Sequence, residues 1–143
     1  MSPALPFQPM HRQLSALLEN KVSAEELTQH YLERISRYDT KLNSFMAVFY
    51  DNALEAAKTA DQKRLSGKPL GTLHGIPFGL KDIIEVEGQR TTWGSYALKD
   101  RISSETATVV ARLIEQGAII LGKTQSVEFR SEERRVGKEC RSR

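Results

Sequence analysis

Cysteine is nearly absent from this chain of 143 residues; the only one is Cys140, close to the C-terminus. Residues 1–129 therefore hold no thiol, which excludes a disulfide framework, a cysteine nucleophile and a thiolate metal site from that part. Long apolar runs are missing, and no stretch reads as a membrane span. The opening residues, Met1-Ser2-Pro3-Ala4-Leu5-Pro6, lack the basic region and apolar stretch of a secretory signal. His11, His30 and His74 have no metal-ligand spacing, and no H-E-x-x-H occurs. Nor does the main body carry an excess charge. Residues 1–129 hold 15 Lys+Arg against 15 Asp+Glu, and the formal net charge of +3 comes entirely from residues 130–143. The expectation is a cytoplasmic protein with no metal, no cofactor and no membrane partner.

That last segment, RSEERRVGKECRSR, reads in isolation as a basic nucleic-acid arm. Composition and charge nevertheless break together between Phe129 and Arg130. The segment is similar to a translated short-read sequencing adaptor joined to a truncated gene. Residues 1–129 are accordingly read as the domain and 130–143 as a non-native basic tail, with no nucleic-acid partner.

What is present reads as alternating helices and strands. Ser2 to Pro9 is proline-rich and suggests an extended lead-in. Leu14, Leu17 and Leu18 have the spacing of a first helix ending near Asn20. Ser23-Ala24-Glu25-Glu26 is a capping box that starts a second helix, with Leu27, Tyr31, Ile35 and Tyr38 on one face. Ser44 to Tyr50 is an apolar run of strand length. Asp51 or Asn52 should cap the next helix, whose face is Ala53, Ala56, Ala57 and Ala60, with Gly67 as its C′ residue. The segment around Lys81 follows as a second strand and bend, then a polar loop over 87–104 in which Trp93 would be a packing anchor. Ser103-Ser104 would cap a helix starting at Ser104-Glu105, with Val109, Val110, Leu113 and Ile114 inward and Gly117 as its stop. Ala118 to Leu121 reads as a buried strand. This order predicts an α/β domain with some parallel pairing.

The chain is organised around Leu73-His74-Gly75-Ile76-Pro77-Phe78-Gly79-Leu80-Lys81-Asp82-Ile83-Ile84. Pro77 suits the first residue of an edge strand, because it cannot donate to a ladder. Phe78, Leu80, Ile83 and Ile84 read as buried, so Lys81 inside the run should be partly desolvated. A neutral lysine amine can take a proton from a hydroxyl.

Gly75-Ile76-Pro77-Phe78-Gly79-Leu80-Lys81-Asp82 resembles the catalytic-lysine segment of the amidase signature family. Thr91-Thr92-Trp93-Gly94-Ser95 is similar to that family's Thr-Thr-x-Gly-Ser loop, and Ala118 to Thr124 with Glu128-Phe129 to the strand and turn that follow. The resemblance covers about Met10 to Phe129. It implies the N-terminal portion of a mixed-sheet amidase-signature fold, left incomplete. It also implies a Ser-Ser-Lys triad that hydrolyses a carboxamide C–N bond through an acyl-enzyme, with Lys81 as base. Thr91, Thr92, Gly94 and Ser95 would bind substrate or support the site, or else bond local backbone. Both family serines lie in a Gly-Ser-Ser-Gly-Gly type stretch that this sequence does not contain, so the chain alone should be inactive. The partner would be a small-molecule amide, and a homo-oligomer is allowed. Alternatives are the glutaminase subunit of a tRNA-dependent amidotransferase and a non-catalytic binding module.

Gly117-Ala118-Ile119-Ile120-Leu121-Gly122-Lys123-Thr124 matches the letters of a P-loop. Its apolar interior is strand-like and a helix precedes it, whereas a phosphate cradle needs a flexible loop between a strand and a helix. Nucleotide binding is therefore not expected.

Overall fold

Ser23 and Glu26 begin the longest helix as their spacing demands. The Glu26 amide donates to Ser23 Oγ at 2.9 Å, and the Ser23 amide to Glu26 Oε2 at 2.8 Å. In this computed structural model, which describes residues 5–130, the helices are α1 (Met10–Leu18), α2 (Ala24–Leu42), α3 (Tyr50–Leu65) and α4 (Thr108–Glu115). The strands are β1 (Phe45–Val48), β2 (Pro77–Lys81) and β3 (Ile119–Thr124), and single 3-10 turns lie at Leu5–Phe7, Tyr96–Leu98 and Glu128–Arg130. Expectations for residues 1–4 and from 131 onward lie outside the described residues.

α2 and α3 pack through Leu27 and Leu32 against Ala53, Ala57 and Ala60, all in one buried cluster. The small alanine face lets the helices approach closely, and each buried leucine contributes roughly 1.5–3 kcal/mol. Asp61 of α3 adds a polar tie. Its carboxylate accepts from the Ala24 amide at 2.9 Å and the Glu25 amide at 3.0 Å, where negative charge also suits the helix N-terminus.

The strand order is β1-β3-β2, with β3 antiparallel to β1 and parallel to β2. Pro77 stands at the start of an edge strand, as its missing N–H requires. Gly122 is held by close approach: a Cβ there would lie 2.2 Å from the Ala47 carbonyl oxygen. The result is the expected mixed α/β arrangement, with β1-α3-β2, a long loop, then α4-β3.

Several local expectations give way. The lead-in contains a 3-10 turn at Leu5–Phe7 rather than being extended throughout. On α1 only Leu17 of the three leucines is fully buried, while Leu18 is exposed. Tyr38 is exposed too, and Leu32 takes a central core position. α3 starts at Tyr50, before either expected cap, and Phe49 at its N-cap makes no side-chain bond. Ala56 points outward. α4 begins at Thr108, because residues 103–107 are drawn into the loop's hydrogen bonds: the Ala107 amide reaches the Glu85 carbonyl, and Thr106 Oγ1 accepts from the Glu87 amide. Ser103 is buried in that network and caps nothing. Of the four inward residues foreseen on α4, only Val110 is fully buried; Val109 and Ile114 are exposed. Among the described residues no helix is long and apolar enough to cross a membrane.

Candidate functional site

β2 delivers Lys81 to the end of the sheet, opposite Thr124 in the parallel register. The chain then turns at once. The Asp82 amide donates to the Thr124 carbonyl at 3.0 Å, and the Ile84 amide to the Lys81 carbonyl at 3.0 Å. Lys81 is half-buried, and Ile83 and Ile84 sit half-buried in the bend that follows the strand. Asp82 is 1% exposed. Its carboxylate is held by Thr92, whose hydroxyl donates to Oδ2 and whose amide donates to the same oxygen at 3.1 Å. The Trp93 amide donates to the Asp82 carbonyl at 3.0 Å. Thr92 is thereby fixed to the residue that follows Lys81.

The rest of the predicted loop is fixed equally firmly. Ser95 Oγ donates to Glu128 Oε1 at 2.8 Å, and the Phe129 amide donates to the Trp93 carbonyl at 2.9 Å. Gly94 has φ +69°, and a Cβ there would lie 2.7 Å from the Ser126 carbonyl oxygen, so the 126–129 segment can cross it only because it is glycine. Thr91, Thr92 and Ser95 are all buried. Their hydroxyls bond side chains distant in sequence, and Thr92 Oγ1 also accepts from the local Gly94 amide at 3.2 Å. Trp93 is not a packing anchor: it has φ +53° and is 38% exposed, with Nε1 donating to Glu85 Oε1 at 3.0 Å.

A second lysine stands behind this loop. Lys123 on β3 is completely buried. Its ammonium donates to the Ile84 carbonyl and, at 2.8 Å, to Thr91 Oγ1. Thr91 Oγ1 is 2.9 Å from Ser103 Oγ, and Ser103 donates to Glu85 Oε2. Glu85 also receives Arg101 Nη1 at 3.0 Å. A carboxylate can only accept and an ammonium can only donate, so every proton direction follows: Lys123 to Thr91, Thr91 to Ser103, Ser103 to Glu85. Burial pushes the Lys123 amine below its ordinary range, opposed by the negative charges of Asp82 and Glu85 and reinforced by Arg101. Burial pushes the Glu85 carboxyl up, but bonds from Ser103, Trp93 and Arg101 outweigh it and hold the group below its usual range.

The sequence led to an expectation of partial desolvation for Lys81, which is half-buried; it did not single out Lys123, which is fully buried. Alternation along β3 would have set Lys123 on the face of Ile119 and Leu121. The register shift opposite Phe78–Gly79 turns it to the other face, with Ile120 and Leu80, so its burial against the loop was not readable from spacing. Asp82, Glu85 and Ser103 carried no signal either, since their partners lie 10 to 18 residues away.

Thr92, Gly94 and Ser95 line a cavity of about 290 Å³ together with Met46, Arg90, Tyr96 and Lys99. A groove of about 710 Å³ lies elsewhere, between α2 and the sheet, with Tyr31, Tyr38 and Phe78 among its walls. It holds none of the predicted site residues. Among the described residues no cluster of three or more His, Cys, Asp or Glu side chains could hold a metal.

An Amidase family model matches residues 26–132, which takes in the turn, the loop and β3. The chain belongs to the amidase family. It is 46% identical over 112 residues to the A subunit of glutamyl-tRNA(Gln) amidotransferase from Protochlamydia amoebophila, covering 78% of this chain and 23% of that protein. The corresponding protein of Fusobacterium nucleatum is 44% identical over the same length and share. Among solved structures, a peptide amidase from Stenotrophomonas maltophilia aligns with TM-score 0.77 and 34% identity, over 84% of this chain and 25% of that one. A bacterial aryl acylamidase of the amidase signature family aligns with TM-score 0.81 and 25% identity, over 85% and 26%. This amidase-family chain thus spans about a quarter of the length of the relatives it matches, and its mixed sheet is the N-terminal fold of those enzymes.

Proposed function

We propose that the enzyme carrying this segment hydrolyses a carboxamide C–N bond, with Lys81 as the base of a Ser-Ser-Lys triad. The observation that carries the reading is the placement of Lys81 at the end of β2, immediately before a carboxylate locked by Thr92. A base works only if its nitrogen sits within hydrogen-bond reach of the hydroxyl it deprotonates, so a rigid base-bearing turn has direct catalytic value. In this mechanism Lys81 takes the proton of a bridging serine, which activates the second serine for attack on the carbonyl. The acyl-enzyme that results is resolved by water. Neither serine has a counterpart in residues 1–143, where Ser103 is committed to Glu85 and Thr91. The 143-residue chain alone is therefore inactive, its substrate a small amide only in the full-length enzyme.

A second, narrower reading is favoured by the names of the sequence relatives. The Protochlamydia and Fusobacterium proteins are A subunits of glutamyl-tRNA(Gln) amidotransferases, and they match at higher identity than the solved amidases. On that reading the amide is one delivered within an amidotransferase, and a partner subunit copurifies.

The test is Lys81→Ala in the full-length enzyme, assayed on glutamine and on a simple aryl amide. A fall of about 10²–10⁴-fold in kcat is expected for loss of a general base. Unchanged turnover in a folded variant overturns the base assignment. Hydrolysis of glutamine alone, with a copurifying partner, selects the amidotransferase reading.

A further inference from the structure

Lys123 lies outside the triad reading, yet it is the most deeply buried charged side chain described, at 0% exposure. Burying an ammonium costs free energy unless donors and charges are well matched, so its retention calls for a role that an apolar residue could not fill. Its two bonds are informative in where they land. The Ile84 carbonyl belongs to the residue whose amide closes the turn onto the Lys81 carbonyl. Thr91 Oγ1 belongs to the residue next to Thr92, whose side chain and amide hold Asp82.

One ammonium thus grips both ends of the 84–91 excursion that leaves Lys81 and returns to it. The sheet adds a third constraint through the same strand, since the residue after Lys123 accepts the Asp82 amide. We propose that Lys123 is a positioning residue for Lys81: by donating to the Ile84 carbonyl and the Thr91 hydroxyl it holds the Lys81–Ile84 turn and the Thr91-Thr92 loop in one fixed relation. It does not touch substrate. The proton-ordered chain through Thr91 and Ser103 to Glu85 supplies the distant negative charge that makes a buried cation tolerable there. In the sequence Lys123 belongs both to a P-loop pattern and to the family-like strand Ala118–Thr124; inside β3 it reaches the loop.

The inference rests on Lys81 being the base, and the experiment separates the two. In the full-length enzyme, Lys123→Met keeps the length of the side chain and removes its donors, and Thr91→Val removes the hydroxyl that one of them reaches. Each is measured alone and combined with Lys81→Ala. If Lys123 acts through Lys81, Lys123→Met lowers kcat about 10- to 100-fold with KM changed less than about threefold, and Thr91→Val lowers it several-fold. Neither slows Lys81→Ala further, because the group they position is already gone. A folded Lys123→Met or Thr91→Val with wild-type kcat beside an inactive Lys81→Ala overturns the inference and leaves the base assignment standing. Additive losses on top of Lys81→Ala also overturn it, by showing that Lys123 serves the fold or another residue. Full activity in Lys81→Ala overturns the base assignment itself. Should Lys123→Met fail to fold, the Thr91→Val arm decides alone.

Discussion

Thr92 binds Asp82 twice through one oxygen: its hydroxyl and its amide, the latter at 3.1 Å, both donate to Oδ2. Both residues are buried, so this lock closes a ten-residue excursion at the base of the Lys81 turn with little competition from water. Thr92→Val keeps the shape and the amide bond but removes the hydroxyl. Hydrogen bonds to a buried charge are worth about 1.5–3 kcal/mol. Urea denaturation of the full-length enzyme should show a loss of that size, with turnover falling by a larger factor than stability alone explains. A variant as stable as wild type means the lock contributes nothing.

His74 makes stability sensitive to acid. It is 2% exposed, and burial lowers its pKa below 6.5, reinforced by the positive charge of Lys63 and opposed by the Ala60 backbone and Asp61. The unfolded chain then takes up the proton at a higher pH than the folded one. Stability is unaffected above about pH 6.5 and declines as pH falls from there to the lowered folded value, with a slope approaching about 1.4 kcal/mol per pH unit. Replacing His74 with Gln should flatten the stability profile across that window; an unchanged slope assigns the acid sensitivity elsewhere.

Glu85 acts lower on the scale. Its folded pKa lies below the usual carboxylate value, so its contribution is complete above about pH 4.5 and disappears as pH falls through the folded value. Ser103→Ala removes one of the three donors that hold this carboxylate ionised, so the acid-unfolding midpoint should move to higher pH. An unshifted midpoint in Ser103→Ala counts against Glu85 as the group responsible.

Two glycines with positive φ differ in the room each leaves for a side chain. Gly67 has φ +67° with nothing within 4 Å of a Cβ built there, so Gly67→Ala should cost about 1–2 kcal/mol for left-handed backbone. At Gly122 an added Cβ would meet the Ala47 carbonyl oxygen at 2.2 Å and force β1 away from β3. Gly122→Ala should cost about 3 kcal/mol or more, at the upper end for overpacking. Comparable melting temperatures for the two variants would contradict this geometry.

Expressed alone, the 143-residue chain should self-associate. β2 is an edge strand, and Leu42, Tyr96, Val109, Ile114 and Phe129 are exposed. Unpaired edges and apolar patches of this kind invite intermolecular pairing. Sedimentation should report oligomers and dye binding should report exposed apolar surface; a monodisperse monomer with a cooperative melt argues otherwise.

What the sequence disclosed, it disclosed through local chemistry. The Ser23–Glu26 box, the Gly67 stop and Pro77 at a strand start all depend on residues a few positions apart, and each is where its spacing placed it. The late start of α4 was invisible because hydrogen bonds to residues 85 and 87 outbid the capping preference of Ser104, and those partners are some 20 positions away. In the site, Lys81 and the Thr91–Ser95 loop were visible by resemblance, but the partners that fix them were not. Lys123 lay in a strand-like run, but the register shift between β2 and β3 breaks the alternation there, so nothing local disclosed which way its side chain turns.

Of the three described strands, the middle one is also the last to be made. Until residues 119–124 leave the ribosome, β1 and β2 have no mate within this sheet, and the emerging polypeptide must depend on its α2–α3 pair. A version ending at residue 118 should retain helical circular dichroism while losing the pairing that orders Lys81, so the machinery around that lysine becomes rigid only when synthesis reaches its far side.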